Sequence, residues 1–164
     1  MIKTDEREYQ QIAGNTHKPC NKIVRFFALI GWVLPLLFTG GAMAEINYEV
    51  LSQIESSGNP KAENKLSGAR GLYQITEPAL KEFNTFNKAK YTPDDLFNPM
   101  VNQTIAKWYM DKRIPEMLTY YKIPITVENQ LHAYNAGISH VIRGELPDET
   151  KQYIEKYLKL TGGK

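Results

Sequence analysis

The sequence predicts an all-α domain, with room for one minor hairpin, that follows an N-terminal apolar segment. Two observations favour this fold class: the apolar residues of most segments recur at helical rather than strand spacing, and Gly and Pro separate these segments. The chain has 164 residues and no internal repeat. We therefore expect one domain with a sizeable core.

Residues 1–44 form a polar extension and a predicted signal peptide. A basic flank precedes the apolar run 26–38, and small residues follow it up to the A-x-A site that ends at Ala44. This pattern is typical of secretion, so we expect cleavage after Ala44 and an exported domain at 45–164 in the periplasm. An uncleaved anchor is the alternative, because residues 26–43 approach the roughly 17–20 apolar residues that span a bilayer. Either way, the segment engages the export machinery or the inner membrane.

The composition of the exported part argues against disulfide bonds and against nucleic-acid binding. The only cysteine, Cys20, precedes the apolar run, so the exported part forms no disulfide. The net charge of +2 resides in the leader, which leaves the exported part formally neutral. Nucleic acid is therefore not an expected partner, because binding to its phosphates requires a basic surface.

The first predicted helix runs from about Ile46 to Ser56, with apolar residues along one stripe. The Ser57-Gly58-Asn59-Pro60 turn ends it, which places Glu55 in its last turn. A loop follows, and its stretch 61–73 allows a short strand or hairpin. Thr76 then caps a second helix with a proline in its first turn.

Prolines and caps predict the remaining helices. Asn98-Pro99, a cap followed by a proline, opens the longest helix, about Pro99 to Arg113, and a shorter segment spans Glu116 to Tyr121 between two prolines. Thr126 caps a helix that ends near Gly137, where we expect a left-handed cap. The last helix spans about Asp148 to Leu160.

Glu55 is the candidate general acid. A carboxyl at a helix C terminus faces the negative end of the macrodipole, and burial against Leu51 and aromatic neighbours would add a desolvation cost. Both effects disfavour the anion, and a protonated carboxyl can act as a general acid. The alternative is an ordinary exposed glutamate at a helix end, and spacing alone does not decide between the two.

Five short motifs occur in a fixed order along the exported chain. They are Glu55-Ser56 with Asn59-Pro60, the stretch Gly68 to Ile75, the stretch Asp95 to Pro99, the stretch Ala133 to Gly137, and Glu149-Thr150 with Tyr153. Together they resemble the transglycosylase SLT domain, the catalytic module of soluble lytic transglycosylases, which is related in fold to goose-type lysozyme. The resemblance covers about residues 48–158.

This resemblance implies a role for each matching residue. Glu55 is the acid/base of the reaction. The residues placed along the sugar-binding cleft are Ser56, Gly71, Leu72, Tyr73 and Gln74. Tyr134 and Asn135 match a Tyr-Asn pair beside the catalytic carboxyl, and Tyr153 matches a late tyrosine of the same site. A phenol bonded to Glu55 would orient its carboxyl, whereas the alternative for the tyrosines is core packing.

Two departures from the family pattern concern the cleft. Tyr73 stands where the family often has methionine, which should change the shape of a sugar subsite. One extra residue before Gln74 moves the family's cleft serine to Asn64 or Lys65, with Ser67 as a shifted alternative.

The resemblance also implies a reaction that needs one carboxylate. The enzyme would cleave the β-1,4 bond between N-acetylmuramic acid and N-acetylglucosamine of peptidoglycan. The 2-acetamido group assists departure of the leaving sugar, and the glutamate then acts as base on the 6-hydroxyl to give a 1,6-anhydro sugar. Ordinary glycosidases use two carboxylates. Glu63 and Asp94-Asp95 are candidates for a second one, which would make the protein a hydrolytic muramidase, although solvated loop charges are the simpler interpretation.

Other functional classes have less support. A non-catalytic glycan-binding assembly protein would be expected to lack the acid, and a membrane-anchored structural protein would leave the motifs unexplained. His132 and His140 are too far apart in sequence to suggest a metal site without further ligands, so we expect no metal or other cofactor. A single compact domain suits local wall opening for a conjugation or secretion complex, or for a phage.

Overall fold

The structure is a computed structural model that describes residues 45–162, and within them the predicted all-α fold with a minor hairpin is confirmed. Helices α1 to α7 span Tyr48–Ser56, Glu77–Asn87, Pro99–Trp108, Ile114–Tyr120, Val127–Ala136, Ile138–Arg143 and Asp148–Thr161. Strands β1 (Glu63–Asn64) and β2 (Ala69–Arg70) pair antiparallel. A 3-10 helix covers Pro93–Phe97. The predicted signal peptide or anchor at 1–44 lies outside the described residues.

Helix α1 begins slightly later than predicted, because Asn47 is its N-cap. The Asn47 side chain accepts a hydrogen bond from the Val50 N–H, and Ile46 precedes the helix as a buried core residue. The Asn47 N–H also donates to the Tyr157 hydroxyl at 2.6 Å, which joins the start of α1 to α7. The helix ends at Ser57, whose φ of 56° lies in the left-handed region. Glu55 therefore occupies the last turn, as predicted.

The predicted division between a helix at 99–113 and another at 116–121 is wrong. A π-helical turn, Tyr109–Arg113, connects α3 to α4 without a break. The Ile114 N–H donates to the Tyr109 carbonyl, five residues back, and Pro115 follows in the first turn of α4. Because proline has no N–H to satisfy, the wider turn lets the helical path continue through it.

Gly137 does not adopt the predicted left-handed cap. Its φ of 93° and ψ of 154° are extended in ψ, and helix α6, which the sequence did not reveal, starts at the next residue. Only glycine adopts such angles at low cost, so Gly137 redirects the chain between α5 and α6 within a single residue.

The packing of the helices brings distant parts of the chain together. Helix α7 contacts both α1 and α5, and α5 also contacts α6. The core between them includes Leu51, Ile75, Ile105, Leu131 and Tyr134, all fully buried. Within residues 45–162, no helix combines the length and apolar character needed to cross a bilayer.

Candidate active site

Glu55 and Tyr153 form the centre of the site. Glu55 is partly buried in the last turn of α1, and the Tyr153 hydroxyl of α7 donates to its Oε1 at 2.6 Å. Burial, followed by the charge of Glu55, raises the pKa of Tyr153 well above its usual value. The phenol therefore keeps its proton and remains a donor that holds the carboxyl in one orientation.

Tyr134 lies close to Glu55 but uses its hydroxyl elsewhere. Its side chain is fully buried, and its hydroxyl donates to the Tyr73 carbonyl at 2.8 Å. Burial, with a further contribution from the charge of Glu55, raises the pKa of Tyr134 well above its usual value. Tyr134 thus joins α5 to the loop that contains Tyr73, while Tyr153 contacts the carboxyl itself.

The segment Arg70–Ile75, which we name the cleft loop, is closed by its own hydrogen bonds. The backbones of Arg70 and Ile75 bond to each other in both directions, at 2.9 and 3.0 Å. Gln74 is buried and has a φ of 48°, unusual for a residue with a side chain. Its Nε2 donates to the Gly71 carbonyl at 3.0 Å. The Gln74 amide therefore stabilises the loop from within.

Ser56 links the cleft loop to the helix that carries Glu55. Its hydroxyl donates to the Leu72 carbonyl at 2.9 Å and also contacts the Ser52 carbonyl at 3.2 Å. Because Ser56 is the neighbour of Glu55 in sequence, this bond fixes the loop relative to the carboxyl. Its predicted contact with substrate stays a prediction.

Asn102 holds the cleft loop from α3, which the sequence alone does not predict. It lies on α3 and is fully buried, and it hydrogen-bonds to the cleft loop at both Arg70 and Tyr73. The available signal was weak: a polar residue between the core-facing residues Val101 and Ile105 of a helix otherwise expected to be apolar there.

Asn135 is held from α7. The buried Thr150 hydroxyl donates to the Asn135 Oδ1 at 2.7 Å, which joins α5 to α7 beside the tyrosines. The threonine of the Glu149-Thr150 motif therefore holds the Asn135 side chain in place.

Asn64, the candidate for the shifted serine, is the last residue of β1 and is exposed. Its Oδ1 accepts hydrogen bonds from the backbone N–H groups of Leu66 and Ser67, at 3.0 and 3.2 Å. These bonds shape the turn between β1 and β2. A contact between Asn64 and substrate stays a prediction.

The candidates for a second carboxylate each have another partner. Glu63 accepts a hydrogen bond from the Arg70 Nε at 3.0 Å, and Asp94 lies 3.8 Å from the same guanidinium. Asp95 accepts from the backbone and hydroxyl of Thr92, and the backbone bond in particular lowers the pKa of Asp95. Glu63 and Asp95 therefore have hydrogen-bonding roles at the hairpin and the 3-10 helix, whereas Asp94 is an exposed residue near Arg70.

The histidines contact residues near α6. The His132 Nε2 lies 2.9 Å from the Glu145 carbonyl oxygen, and burial lowers the pKa of His132. The His140 Nδ1 lies 3.3 Å from a Glu145 carboxylate oxygen. Among residues 45–162, no three His, Cys, Asp or Glu side chains are grouped so that they could hold a metal ion.

Comparison with models of known protein families gives a match to the chain. The family model described as the transglycosylase SLT domain matches residues 44–156, which is most of the chain. The chain therefore belongs to the transglycosylase SLT domain family, and the resemblance seen in the sequence is confirmed. Membership indicates a lytic-transglycosylase-type activity related to peptidoglycan. No curated protein and no solved structure matches the chain.

Proposed function

We propose that the protein is a peptidoglycan lytic transglycosylase in which Glu55 is first the general acid and then the general base. The observation that carries the proposal is the hydrogen bond from the Tyr153 phenol to the Glu55 Oε1, at 2.6 Å, on a partly buried carboxyl. This hydrogen bond holds the carboxyl in one orientation. Orientation of a proton donor and acceptor is what general acid–base catalysis requires.

The reaction proceeds in two steps on the same side chain. In the first, the Glu55 carboxyl gives its proton to the glycosidic oxygen, the bond from C1 of N-acetylmuramic acid to that oxygen breaks, and the acetamido oxygen bonds to C1. In the second, the Glu55 carboxylate takes the proton of the 6-hydroxyl and O6 bonds to C1. The bond between C1 and the acetamido oxygen breaks at the same time, which restores the acetamido group. The products are a 1,6-anhydro end and a free N-acetylglucosamine hydroxyl. No water is consumed.

The partners of the other carboxylates support a mechanism with one acid. Glu63 and Asp94 both contact Arg70, and Asp95 caps the 3-10 helix. A hydrolytic muramidase would need one of them to activate water. Arg70 and Thr92 hold Glu63 and Asp95 at the hairpin and the 3-10 helix, which favours the transglycosylase reaction.

Digestion of purified peptidoglycan by the full chain in water enriched in oxygen-18 tests the proposal. We expect products with 1,6-anhydro ends that contain no oxygen-18, as measured by mass spectrometry. Reducing ends with one oxygen-18 atom would instead show a hydrolase. Binding to the glycan without any product would show a non-catalytic protein. The variant Glu55→Gln serves as the blank for contaminating activity.

The proposed setting is the periplasm, with peptidoglycan strands as the substrate. The signal-like pattern that ends at Ala44 supports export, and a compact domain suits local wall opening within a transfer or secretion complex, or a phage lytic role. Mass analysis of the protein recovered from a periplasmic fraction tests the export step. A mature N terminus at Glu45 is the expected result, whereas the intact chain in the membrane fraction would show an uncleaved anchor.

A further inference from the structure

Asn102 uses its whole amide group on the backbone around the cleft loop. Its Oδ1 accepts from the Tyr73 N–H at 2.8 Å, and its Nδ2 donates to the carbonyls of Arg70 and Leu96, both at 2.9 Å. The side chain is fully buried. In such a place each unmade hydrogen bond carries the full cost of desolvation, so these contacts are held firmly.

Two further side chains hold the same loop, each from a different helix. Ser56 of α1 donates to the Leu72 carbonyl, and Tyr134 of α5 donates to the Tyr73 carbonyl. With Asn102 of α3, side chains from three helices therefore bond to three peptide groups of the loop, those after Arg70, Leu72 and Tyr73. Ser56 is the next residue after Glu55 in sequence. Tyr134 lies close enough to Glu55 for its charge to raise the pKa of the Tyr134 phenol.

The amide of Asn102 and the glycine of the loop fit each other. Gly71 has a φ of 76°, and a Cβ at this position would overlap the Leu96 carbonyl oxygen and the Asn102 Nδ2. The loop backbone thus approaches α3 as closely as the absence of a side chain permits. This contact sets the distance between the loop and the helix.

From these contacts we infer that Asn102 is a positioning residue for the reaction, which acts through the cleft loop and does not touch the substrate. The inference rests on the proposed function, because it assigns Asn102 a part in placing the sugar against Glu55. Only a side chain with one acceptor and two donor hydrogens can make all three bonds, so leucine or serine would release the loop at one or more points. Small displacements of a bound substrate lower turnover strongly.

A matched pair of variants of the full chain separates positioning from general support of the fold. Asn102→Leu removes the contacts to the cleft loop. Gln130→Met removes another buried amide, whose Nε2 donates to the Met110 carbonyl at 2.7 Å and so holds the π-helical turn instead. Release of anhydro products is measured per folded molecule, at a temperature where circular dichroism shows both variants folded. Rates are taken at limiting and at saturating concentrations of solubilised glycan strands.

We expect Asn102→Leu to lower turnover by about 10- to 100-fold, including at saturating glycan, because the sugar is bound but misplaced. Gln130→Met should keep the turnover of the unmodified chain. The inference is overturned if Asn102→Leu also keeps that turnover, or if the two variants lose activity equally. An inactive unmodified chain would refute the proposed function itself, and the inference with it.

Amide hydrogen exchange in the unmodified chain decides the matter if Asn102→Leu does not fold. The Tyr73 N–H donates to Asn102, and Ile105 is a fully buried residue of the same helix α3. A loop held by Asn102 should protect the Tyr73 amide as strongly as that of Ile105. Much faster exchange at Tyr73 would show that Asn102 does not hold the loop, which overturns the inference.

Discussion

Two glutamates of this domain accept hydrogen bonds from tyrosine hydroxyls, yet their surroundings differ. Glu82 is almost fully buried, its Oε1 accepts from the Arg113 Nε at 2.6 Å, and its other oxygen contacts the Tyr109 hydroxyl. Glu55 is only partly buried, and its Oε1 accepts from the Tyr153 hydroxyl at 2.6 Å. The Glu82 carboxylate pairs with a cation inside the protein, whereas the Glu55 carboxyl is partly exposed to solvent.

This difference is what we expect between a structural carboxylate and the proposed catalytic one. A buried ion pair shields its carboxylate from substrate, and removal of either partner leaves an uncompensated charge. A phenol orients the carboxyl without placing a full positive charge beside it, which suits the proposed role of Glu55 as both acid and base. The comparison therefore predicts that changes at Glu82 affect stability and that changes at Glu55 affect turnover.

The largest expected effect on stability is that of Glu82→Gln. It leaves the Arg113 guanidinium buried without a counter-charge, and we expect the free energy of unfolding to fall by about 3–5 kcal/mol. Urea denaturation measures this change. Glu155→Gln, at an exposed position of α7, is the control and should stay within about 0.5 kcal/mol of the unmodified protein. Equal stability of the two variants would show that the buried pair contributes nothing.

Gly71→Ala should have the next largest effect. The new Cβ would combine a positive φ with overlap against Leu96 and Asn102, so we expect a loss of about 2–4 kcal/mol in the free energy of unfolding. Gly68→Ala is the matched control, because Gly68 has a similar φ of 68° but no atom near the new Cβ. It should cost only about 1–2 kcal/mol. A Gly71 variant as stable as the Gly68 variant would mean that the loop moves freely away from α3.

The smallest expected effect is that of Tyr153→Phe on turnover. Loss of the hydroxyl leaves the Glu55 carboxyl less well oriented. We expect turnover to fall about tenfold, which corresponds to a rise of about 1.4 kcal/mol in the activation free energy. Tyr157→Phe is the control from the same helix, because its hydroxyl contacts the Asn47 N–H. It should reduce stability and leave turnover per folded molecule unchanged. Equal turnover in both variants would contradict the orienting role of Tyr153.

Features that depend on local sequence could be predicted. The end of α1 at the turn after Ser56, and the caps at Thr76, Asn98 and Thr126, follow from residues within a few positions of each other. These local signals also placed Glu55 in the last turn of its helix. The ordered motifs supplied the family, which no single motif could have done.

Features that depend on tertiary contacts could not be predicted. The π-helical turn and helix α6 were missed, since proline and glycine mark interruptions without saying how the chain continues. The pairing of Tyr153 rather than Tyr134 with Glu55 joins residues 98 positions apart and depends on the packing of α7 against α1. Asn102 was missed for the same reason, because its partners lie in a loop and not in its own helix.

The most direct test of the central claim is the turnover of peptidoglycan per folded molecule by Glu55→Gln and Glu82→Gln, measured side by side. We expect Glu55→Gln to stay as stable as the unmodified chain and to lose turnover by about 10²- to 10⁴-fold. Glu82→Gln should be the less stable variant and keep its turnover. Retained turnover in Glu55→Gln, or an equal loss in both variants, would contradict the assignment of the reaction to Glu55.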